Sequence, residues 1–544
     1  MISSFLVSQN HFISYLVYFK LRYIPHSVMI VIPSIAFGKK GIVATQHPYA
    51  TLVGIKVLEE NDNAFDASIA ISAMLSVVLP QTSGIGGDAF VMIHLNNGEI
   101  KIINGSGYSP KELTIDKMKH LGYNKMPIRG PYTITIPGLV SVWEKLSSTY
   151  GQMDLQKLLR PAISIARNGF PISHGLSESI RRSLKDLIEF KEWRRIFTRE
   201  GQGLKPGDIL IQEDLACILE YIAKKGCREF YEGKIAEEVT EELRKKGAPI
   251  SLEDFKEYEP VWDKPLRSSY KDWELFEIPP NSQGLLTLLM LNLLELQRTS
   301  ELDYYSAERI TRCLNSAKIL NKVRDLYIAD PRFYKAPITR LLSKEYAEKM
   351  LEGKINEDYK KTLSTDGDTT FFVVGDSKGN IVSFIQSIFF PFGSGIVSRG
   401  IVFQNRGHGF SLNIHSPNKL EPRKRPLHTL SILLAKRDKE TLVIGCAGGY
   451  LRPQIHVEVF TNVVDYNMDL AKAVEAPRFM LLSENEVIAE ESLYERIKDI
   501  HDYKVRSLKY PSPSLGIVQA LLYNGRIYLG VADARGDGVA LTPL

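Results

Sequence analysis

The sequence has few cysteines and none of the common metal or nucleotide motifs. Four cysteines, Cys217, Cys227, Cys313 and Cys446, are spread over 544 residues without the paired spacing of a zinc site. So sparse a set gives no basis for a disulfide framework either. A Walker-type phosphate loop and a dinucleotide fingerprint are both missing from the sequence. We therefore expect no metal and no organic cofactor.

Concentrated charge of one sign is scarce as well. The net charge is only +5, and hydrophobic residues make up 44% of the chain, which is enough for a large buried core. The densest basic cluster, residues 423–425, lies between two prolines and is too small to predict nucleic-acid binding. We expect no nucleic-acid partner.

The N-terminal stretch, residues 1–37, also lacks a long uninterrupted apolar run. Lys20, Arg22 and His26 divide it, so no segment is long enough to span a bilayer. It does not have the basic start, compact apolar region and small-residue cleavage site of a signal peptide. We interpret it as an unstructured extension or a mis-assigned start, with Met29 as the true first residue; an N-terminal anchor or an export signal are the alternatives. No membrane partner is expected, and a cytoplasmic location is predicted, with export as the alternative.

A β-hairpin is predicted at residues 369–387, where β-branched and aromatic residues flank a turn. A turn placed midway between the two strands pairs Val374 with Val382 and places Ser387 opposite Thr369. A shift of one residue in this pairing would exchange the two faces of the hairpin. If the chain were cut before Thr369, the new α-amine, with a pKa of about 7.7–8.0, could act as base for its own hydroxyl. An ordinary threonine-rich hairpin is the alternative interpretation of this segment taken alone.

The other segments alternate between helical and strand patterns. Residues 48–79 have helical spacing, residues 91–104 predict a second hairpin, and residues 139–260 predict mainly helices. Residues 285–296 predict an apolar helix that is too short to cross a membrane. Residues 354–368 are polar and are typical of an exposed, cleavable linker.

From residue 41 to the C-terminus, the chain resembles the γ-glutamyltranspeptidase family of N-terminal-nucleophile hydrolases. Each matching block is weak alone, but the ordered set is highly specific. The blocks are residues 41–48 (GIVATQHP), 63–67 (NAFDA), 80–87 (PQTSGIGG), 136–138 (IPG), 161–162 (PA), 169–171 (GFP), 230–233 (FYEG), 279–284 (PPNSQG), 369–370 (TT), 392–395 (FGSG), 425–427 (RPL) and 448–449 (GG).

The resemblance implies a mixed α/β (α+β) fold, a four-layer αββα sandwich. It also implies a precursor that cuts itself between Asp368 and Thr369. Residues 38–368 would form a large subunit and residues 369–544 a small catalytic subunit. The two pieces would remain together as a heterodimer, one intertwined αββα unit.

The resemblance also implies the catalytic residues. Thr369 is matched to the nucleophile and Ser387 to its hydroxyl partner, where typical members have threonine. Gly448 and Gly449 are matched to the oxyanion hole, where backbone N–H groups stabilise a tetrahedral intermediate. Without the resemblance, a glycine pair after a strand would be read as an ordinary turn. The acyl-enzyme is resolved by water or by an acceptor amine, so no metal is required.

The substrate pocket departs from the family pattern. The block in which typical members carry an arginine for the γ-glutamyl α-carboxylate reads Ser-Gly-Tyr-Ser-Pro here, at residues 106–110. Phe389 replaces a pocket asparagine. Arg406 and Gly409 stand where a glutamine and an aspartate contact the α-amino group. The substrate-binding candidates in this chain are Phe389, Asn405, Arg406, His428 and Thr429, the last two in place of a serine pair.

The charge of this pocket predicts its substrate. A buried ammonium needs an acceptor, preferably a carboxylate, which the family supplies and this pocket lacks. Arg406 can instead present a bidentate fork to a carboxylate. We expect a self-processing amidohydrolase or acyltransferase that cleaves γ-glutamyl or related small acyl amides. The alternative is a glutaryl- or cephalosporin-acylase-like or oxamate-amidohydrolase-like hydrolase without glutathione activity.

A non-catalytic binding relative is the alternative from another class. Phe371 stands where many members have histidine, and Phe389 narrows the site, so loss of activity is conceivable. Asp66 and Asp88 are interpreted as structural, because the mechanism needs no carboxylate pair. A small-molecule amide and the chain's own two fragments are the only partners expected.

Overall fold

Two seven-stranded sheets form the centre of this computed structural model, which describes residues 33–353 and 368–544. The strands in chain order are β1 (Ser34–Gly38), β2 (Gly41–Thr45), β3 (Asp88–His94), β4 (Ile100–Gly105), β5 (Phe170–Pro171), β6 (Thr198–Arg199), β7 (Gln202–Gly203), β8 (Ile209–Leu210), β9 (Val261–Asp263), β10 (Leu266–Tyr270), β11 (Trp273–Glu277), β12 (Asp368–Asp376), β13 (Ile381–Phe389), β14 (Val397–Ser398), β15 (Ile401–Val402), β16 (Leu433–Arg437), β17 (Glu440–Ala447), β18 (Phe479–Leu481), β19 (Glu486–Glu490), β20 (Lys504–Leu508), β21 (Ile517–Tyr523), β22 (Tyr528–Ala532) and β23 (Val539–Leu541).

Helices surround these sheets. The α-helices are α1 (Pro48–Asn61), α2 (Ala64–Val78), α3 (Ile115–His120), α4 (Leu139–Tyr150), α5 (Leu155–Asn168), α6 (His174–Leu187), α7 (Lys191–Phe197), α8 (Glu213–Lys225), α9 (Lys234–Lys245), α10 (Leu252–Lys256), α11 (Gly284–Leu296), α12 (Ala307–Tyr327), α13 (Ile338–Leu341), α14 (Lys344–Leu351), α15 (Arg452–Val464), α16 (Leu470–Glu475) and α17 (Glu491–Ile497). Short 3₁₀ turns occupy Pro131–Thr133, Cys227–Phe230, Thr299–Glu301, Arg406–Gly409, Gly449–Leu451 and Pro513–Leu515. In the part of the chain that the structure describes, no helix is both long and apolar enough to cross a bilayer.

Both sheets mix strands from before and after residue 368. The first has the order β1-β22-β21-β17-β16-β11-β10, and the second β23-β2-β12-β13-β3-β4-β9. Neighbouring strands in both sheets are antiparallel. A cut before Thr369 would therefore leave two pieces that share both sheets.

Side chains alternate along β12 and so define the layers. Phe371 and Val373 pack between the two sheets, whereas Phe372 and Val374 pack against the cluster that contains α1, α2 and α4. The outer face of the first sheet packs in the same way on α11 and α15, and α12 packs on α11. A helical layer therefore covers each sheet, and the expected αββα sandwich is confirmed.

The predicted hairpin register is confirmed. Val374 pairs with Val382, and the ladder continues to Thr370, which pairs with Gln386. One step further the register shifts, so that Asp368 pairs with Phe389. Two residues of β13 therefore lie opposite Thr369. This bulge falls at the bond that the sequence marks for cleavage.

Two boundaries predicted from the sequence need correction. The N-terminal extension was placed at residues 1–37, but Ser34–Gly38 form β1 and pair with β22. Ser34, Ala36 and Gly38 face the protein while Ile35 and Phe37 stay exposed, so the segment joins the sheet through its backbone pairing with β22. The predicted linker at 354–368 lies outside the described residues except for Asp368, which already begins β12. The proposal that Met29 is the true start also concerns residues outside those described.

Close packing between the sheets predicts that Gly445 tolerates no side chain. A Cβ there would lie 2.5 Å from the ring of Phe371. Gly445→Ala is expected to destabilise the fold by roughly 1–3 kcal/mol, as overpacking does, and to lower the thermal unfolding midpoint. Gly175→Ala in α6 is the control, since its Cβ would meet only the side chains of Asp537 and Ser173. Equal midpoints for the two variants would contradict this packing.

Candidate active site

Thr369 lies at the head of β12 with its hydroxyl directed at Ser387. Its Oγ1 donates to Ser387 Oγ at 3.2 Å, and both side chains are buried. Ser387 pairs with Asp88 of the adjacent strand β3. Because Phe371 and Phe90, two residues further along β12 and β3, lie between the sheets, this row of polar side chains faces the same interface. The two predicted hydroxyls are therefore brought together.

Ser387 also receives hydrogen bonds from two other groups. The backbone N–H of Phe389 donates to Ser387 Oγ at 2.8 Å, and Arg406 Nη2 approaches the same oxygen at 3.4 Å. Phe389 has a φ of 81°, which is unusual for a bulky residue. This conformation follows directly after the bulge, at the residue whose N–H binds Ser387.

Arg406 is completely buried at the centre of the predicted pocket. Its Nη1 donates to Thr429 Oγ1 at 3.1 Å, and its Cζ lies 3.9 Å from the centroid of the Phe389 ring. Burial lowers the pKa of Arg406 to about 9, while the nearby carboxylate of Asp88 acts in the opposite direction. Arg406 Nε has no hydrogen-bond partner among the described residues. The guanidinium therefore keeps a donor for a ligand.

The glycine pair follows β17, as the sequence predicts. Gly448 and Gly449 have φ values of 158° and 51°, and a Cβ on Gly448 would lie 2.5 Å from Ile455 Cδ1. Gln283 fixes this loop, because its Nε2 donates to Gly449 O at 2.9 Å and to Thr429 O at 3.0 Å. The loop that carries the glycines is thus held beside the loop that carries Thr429.

Arg452, which the sequence reading missed, adds a second buried guanidinium. Its Nε donates to Cys446 O at 2.8 Å, and its Nη1 donates to Thr429 O. Its Nη2 has no hydrogen-bond partner in the described parts of the chain. In the sequence, the feature that could have identified it is its position three residues after the glycine pair. Thr429 thus accepts hydrogen bonds from both Arg406 and Arg452.

Asp88 is the other residue that the sequence reading left out of the site. Its Oδ1 accepts hydrogen bonds from Gln404 Nε2 at 2.8 Å and from Gly107 N at 3.0 Å, and its Oδ2 accepts one from His428 Nε2 at 3.0 Å. Burial raises the pKa of Asp88 to about 7, against the opposing effect of Arg406. Asp88 directly follows the glycine block at residues 84–87, which was the available signal.

Two predicted substrate-binding residues are occupied by the protein itself. Asn405 Oδ1 accepts from Phe390 N at 3.1 Å, and its Nδ2 donates to Ile128 O at 2.7 Å, so its amide fixes the loop. His428 is bound to Asp88, and burial holds its pKa well below the usual value. It is therefore a neutral imidazole that donates through Nε2. Neither side chain offers a free polar group to a substrate.

The pocket holds more buried positive groups than available negative ones. Arg406 and Arg452 supply two buried guanidinium groups, and the hydrogen bonds around Asp88 already occupy both of its oxygens. A buried ammonium would meet no available carboxylate among these side chains. The arrangement suits an anionic group beside the pair of hydroxyls.

Comparison with known proteins agrees with this geometry. The gamma-glutamyltranspeptidase family model matches residues 50–542. The chain is 35% identical to the glutathione hydrolase-like YwrD proenzyme of Bacillus subtilis (strain 168), over 93% of this chain and 98% of that protein. It is 32% identical to the glutathione hydrolase proenzyme of Escherichia coli (strain K12), over 81% of each. The crystal structure of cephalosporin acylase from Bacillus halodurans matches with a TM-score of 0.86 and 29% identity, covering 96% of this chain and 99% of that one. The chain belongs to the gamma-glutamyltranspeptidase family of N-terminal-nucleophile amidohydrolases.

Proposed function

We propose that this chain cuts itself before Thr369 and then hydrolyses amides of small acyl groups that end in a carboxylate. The observation that carries the proposal is the 3.2 Å contact between the hydroxyls of Thr369 and Ser387, with the buried guanidinium of Arg406 on the same Ser387 oxygen. A nucleophile, its partner and an anion-binding group thus share one small volume.

Self-cleavage uses the Thr369 hydroxyl first. Its oxygen attacks the carbonyl carbon of Asp368, and the hydroxyl proton passes to the departing Thr369 nitrogen as the amide C–N bond breaks. The resulting ester joins Asp368 to Thr369 Oγ1. Water then hydrolyses this ester, leaving a carboxylate on Asp368 and a free amine on Thr369. The bulge at this bond removes it from regular strand pairing.

The processed enzyme uses the same hydroxyl again. The new α-amine, with a pKa of about 7.7–8.0, takes the hydroxyl proton as Thr369 Oγ1 attacks the substrate amide. Ser387 orients that oxygen. The N–H groups of Gly448 and Gly449 stabilise the tetrahedral oxyanion, a contribution of roughly 10²–10³ in rate elsewhere. The amine leaves with a proton, and water releases the acyl group as an acid.

The pocket charges support a carboxylated acyl group without an α-ammonium. Arg406 Nε and Arg452 Nη2 are buried donors that lack partners among the described residues. A carboxylate can accept from such donors, whereas an ammonium cannot. This favours glutaryl-type amides over γ-glutamyl amides, in line with the structural likeness to a cephalosporin acylase. Glutathione hydrolysis, suggested by the names of two relatives, is the less favoured candidate.

Self-cleavage is tested by replacing the attacking oxygen. Thr369→Ala is expected to remain one chain of 61.4 kDa on a denaturing gel, while the wild type gives two fragments. Amide hydrolysis by the variant should fall by about 10³-fold or more, since the nucleophile is missing. Mass spectrometry of the wild-type small fragment should show Thr369 as its first residue.

Thr370→Val is the matched control. The Thr370 hydroxyl is buried and has no hydrogen-bond partner among the described residues, and its register partner Gln386 contacts Ser72 of α2. Its loss should therefore leave self-cleavage intact. Scission of Thr369→Ala at the same bond, or a wild type that stays whole, would refute the mechanism.

Substrate choice is tested with paired anilides. The wild type is expected to hydrolyse a glutaryl anilide with a kcat/KM at least about tenfold above that for the γ-glutamyl anilide, because the α-ammonium would be buried unpaired. Arg406→Gln should raise the KM for the glutaryl anilide by roughly 10- to 100-fold, the value of a charge-assisted hydrogen bond.

Arg267→Gln controls for the loss of an arginine, since Arg267 is exposed on β10. It should leave both kinetic constants unchanged. A wild type that strongly prefers the γ-glutamyl anilide would show that the charge argument is wrong, even if self-cleavage is confirmed.

A further inference from the structure

The carboxyl of Asp88 joins the segments that form the pocket wall. It accepts hydrogen bonds from Gln404 and Gly107 on one oxygen and from His428 on the other. The group is fully buried and belongs to β3, in the middle of a sheet. Three separate loops therefore converge on one side chain that the catalytic mechanism does not use.

These hydrogen bonds fix the side chains that surround the acyl site. Gln404 is two residues before Arg406 in the same loop, and His428 directly precedes Thr429. Arg406 in turn donates to Thr429 Oγ1 at 3.1 Å. Asp88 also pairs with Ser387 across the ladder between β3 and β13. Its carboxyl thus binds the loops that carry Arg406 and Thr429, and its backbone pairs with the strand that carries Ser387.

Asp88 also opposes the charge of Arg406. The titratable groups that face it are Arg406, His428 and Tyr258. Burial holds the pKa of His428 well below neutrality and raises that of Tyr258, so both are uncharged between about pH 6 and pH 8. Arg406, with a pKa of about 9, stays cationic in this range. The pKa of Asp88 is about 7, so Asp88 is the group in this set whose charge changes.

We infer that Asp88 is a positioning residue that sets the affinity of the pocket for a carboxylated acyl group, by holding Arg406 and Thr429 in place and opposing the charge of Arg406. The inference rests on the proposed function. It assigns no chemical step to Asp88, whose oxygens are turned towards the pocket-wall loops.

The sign of the effect follows from the charges. Below about pH 7 Asp88 is neutral, and Arg406 attracts a substrate carboxylate without opposition. Above that pH, Asp88 is anionic, offsets Arg406 and repels the substrate carboxylate. The KM of the wild type for a glutaryl anilide, divided by its KM for an uncharged butyryl anilide, should therefore rise from about pH 6 to about pH 8. For one charge within about 10 Å at an effective dielectric constant of about 20, the rise is roughly tenfold or more. The ratio cancels the effect of the Thr369 amine on the reactivity of its hydroxyl. Asp88→Asn, which keeps that amine, shows how much of the rise comes from the charge of the amine itself.

Asp88→Asn separates the charge from the hydrogen bonds. Asparagine keeps an acceptor for Gln404 and Gly107. Its amide can donate to His428 only if the imidazole takes the other tautomer and gives up the hydrogen bond that Nδ1 accepts from Leu430 N at 3.4 Å. The variant is expected to cut itself as the wild type does and to show a clearly smaller rise of the KM ratio with pH. Asp66→Asn is the control, because Asp66 is equally buried but binds the backbone N–H groups of Gln152 and Met153; its KM ratio should follow the wild-type curve.

The outcomes can be distinguished. A flat KM ratio in the wild type, or an unchanged rise in Asp88→Asn, would overturn the role of Asp88 while leaving the amidohydrolase proposal in place. An uncut wild type that hydrolyses neither anilide would refute the proposed function itself. If Asp88→Asn does not fold, the wild-type curve still tests the role of Asp88, because a flat KM ratio overturns it.

Discussion

The pairing of β12 with β13 is the constraint on which the rest of the structure depends. It places the Thr369 hydroxyl 3.2 Å from Ser387 and, through Ser387, beside Arg406. β12 also pairs with β2, and β13 pairs with β3, both from the first part of the chain. Because every pair of these ladders except that of Asp368 with Phe389 lies after the bond before Thr369, a cut there leaves every layer of the sandwich paired. The new amine then stays at the head of a central strand.

The second constraint is the burial of charge next to this hairpin. Removing a guanidinium from water costs several kcal/mol, which the protein recovers only through well-placed partners. Arg406 has Thr429, Ser387 and the ring of Phe389, and its counter-charge on Asp88 acts without a direct hydrogen bond. This compensation is incomplete, since one donor still lacks a partner within the described residues. An anionic ligand would complete it.

The parts of this structure that the sequence could predict depend on patterns within a few neighbouring residues. The hairpin register followed from β-branched residues and a turn, and the glycine pair followed from its position after a strand. Asp88 and His428 could not be paired in advance, because 340 positions separate them and only the sheet brings them together. The contacts of Asn405 are a second example. Its type suits a ligand, but the folded loop uses both ends of its amide.

Phe389 depends on its neighbour Arg406, so the two departures from the family pattern are linked. A φ of 81° in a phenylalanine stores on the order of 1–3 kcal/mol of strain, which an asparagine at this position would feel less. The ring contributes in return a face for Arg406 at 3.9 Å and a stack on Phe390 at 4.5 Å. A neutral side chain at 406 would leave the strained ring without its cation, and a smaller residue at 389 would leave the buried guanidinium without its aromatic face. Phe389 and Arg406 therefore stabilise each other, which couples the backbone beside the nucleophile to the charge of the substrate site.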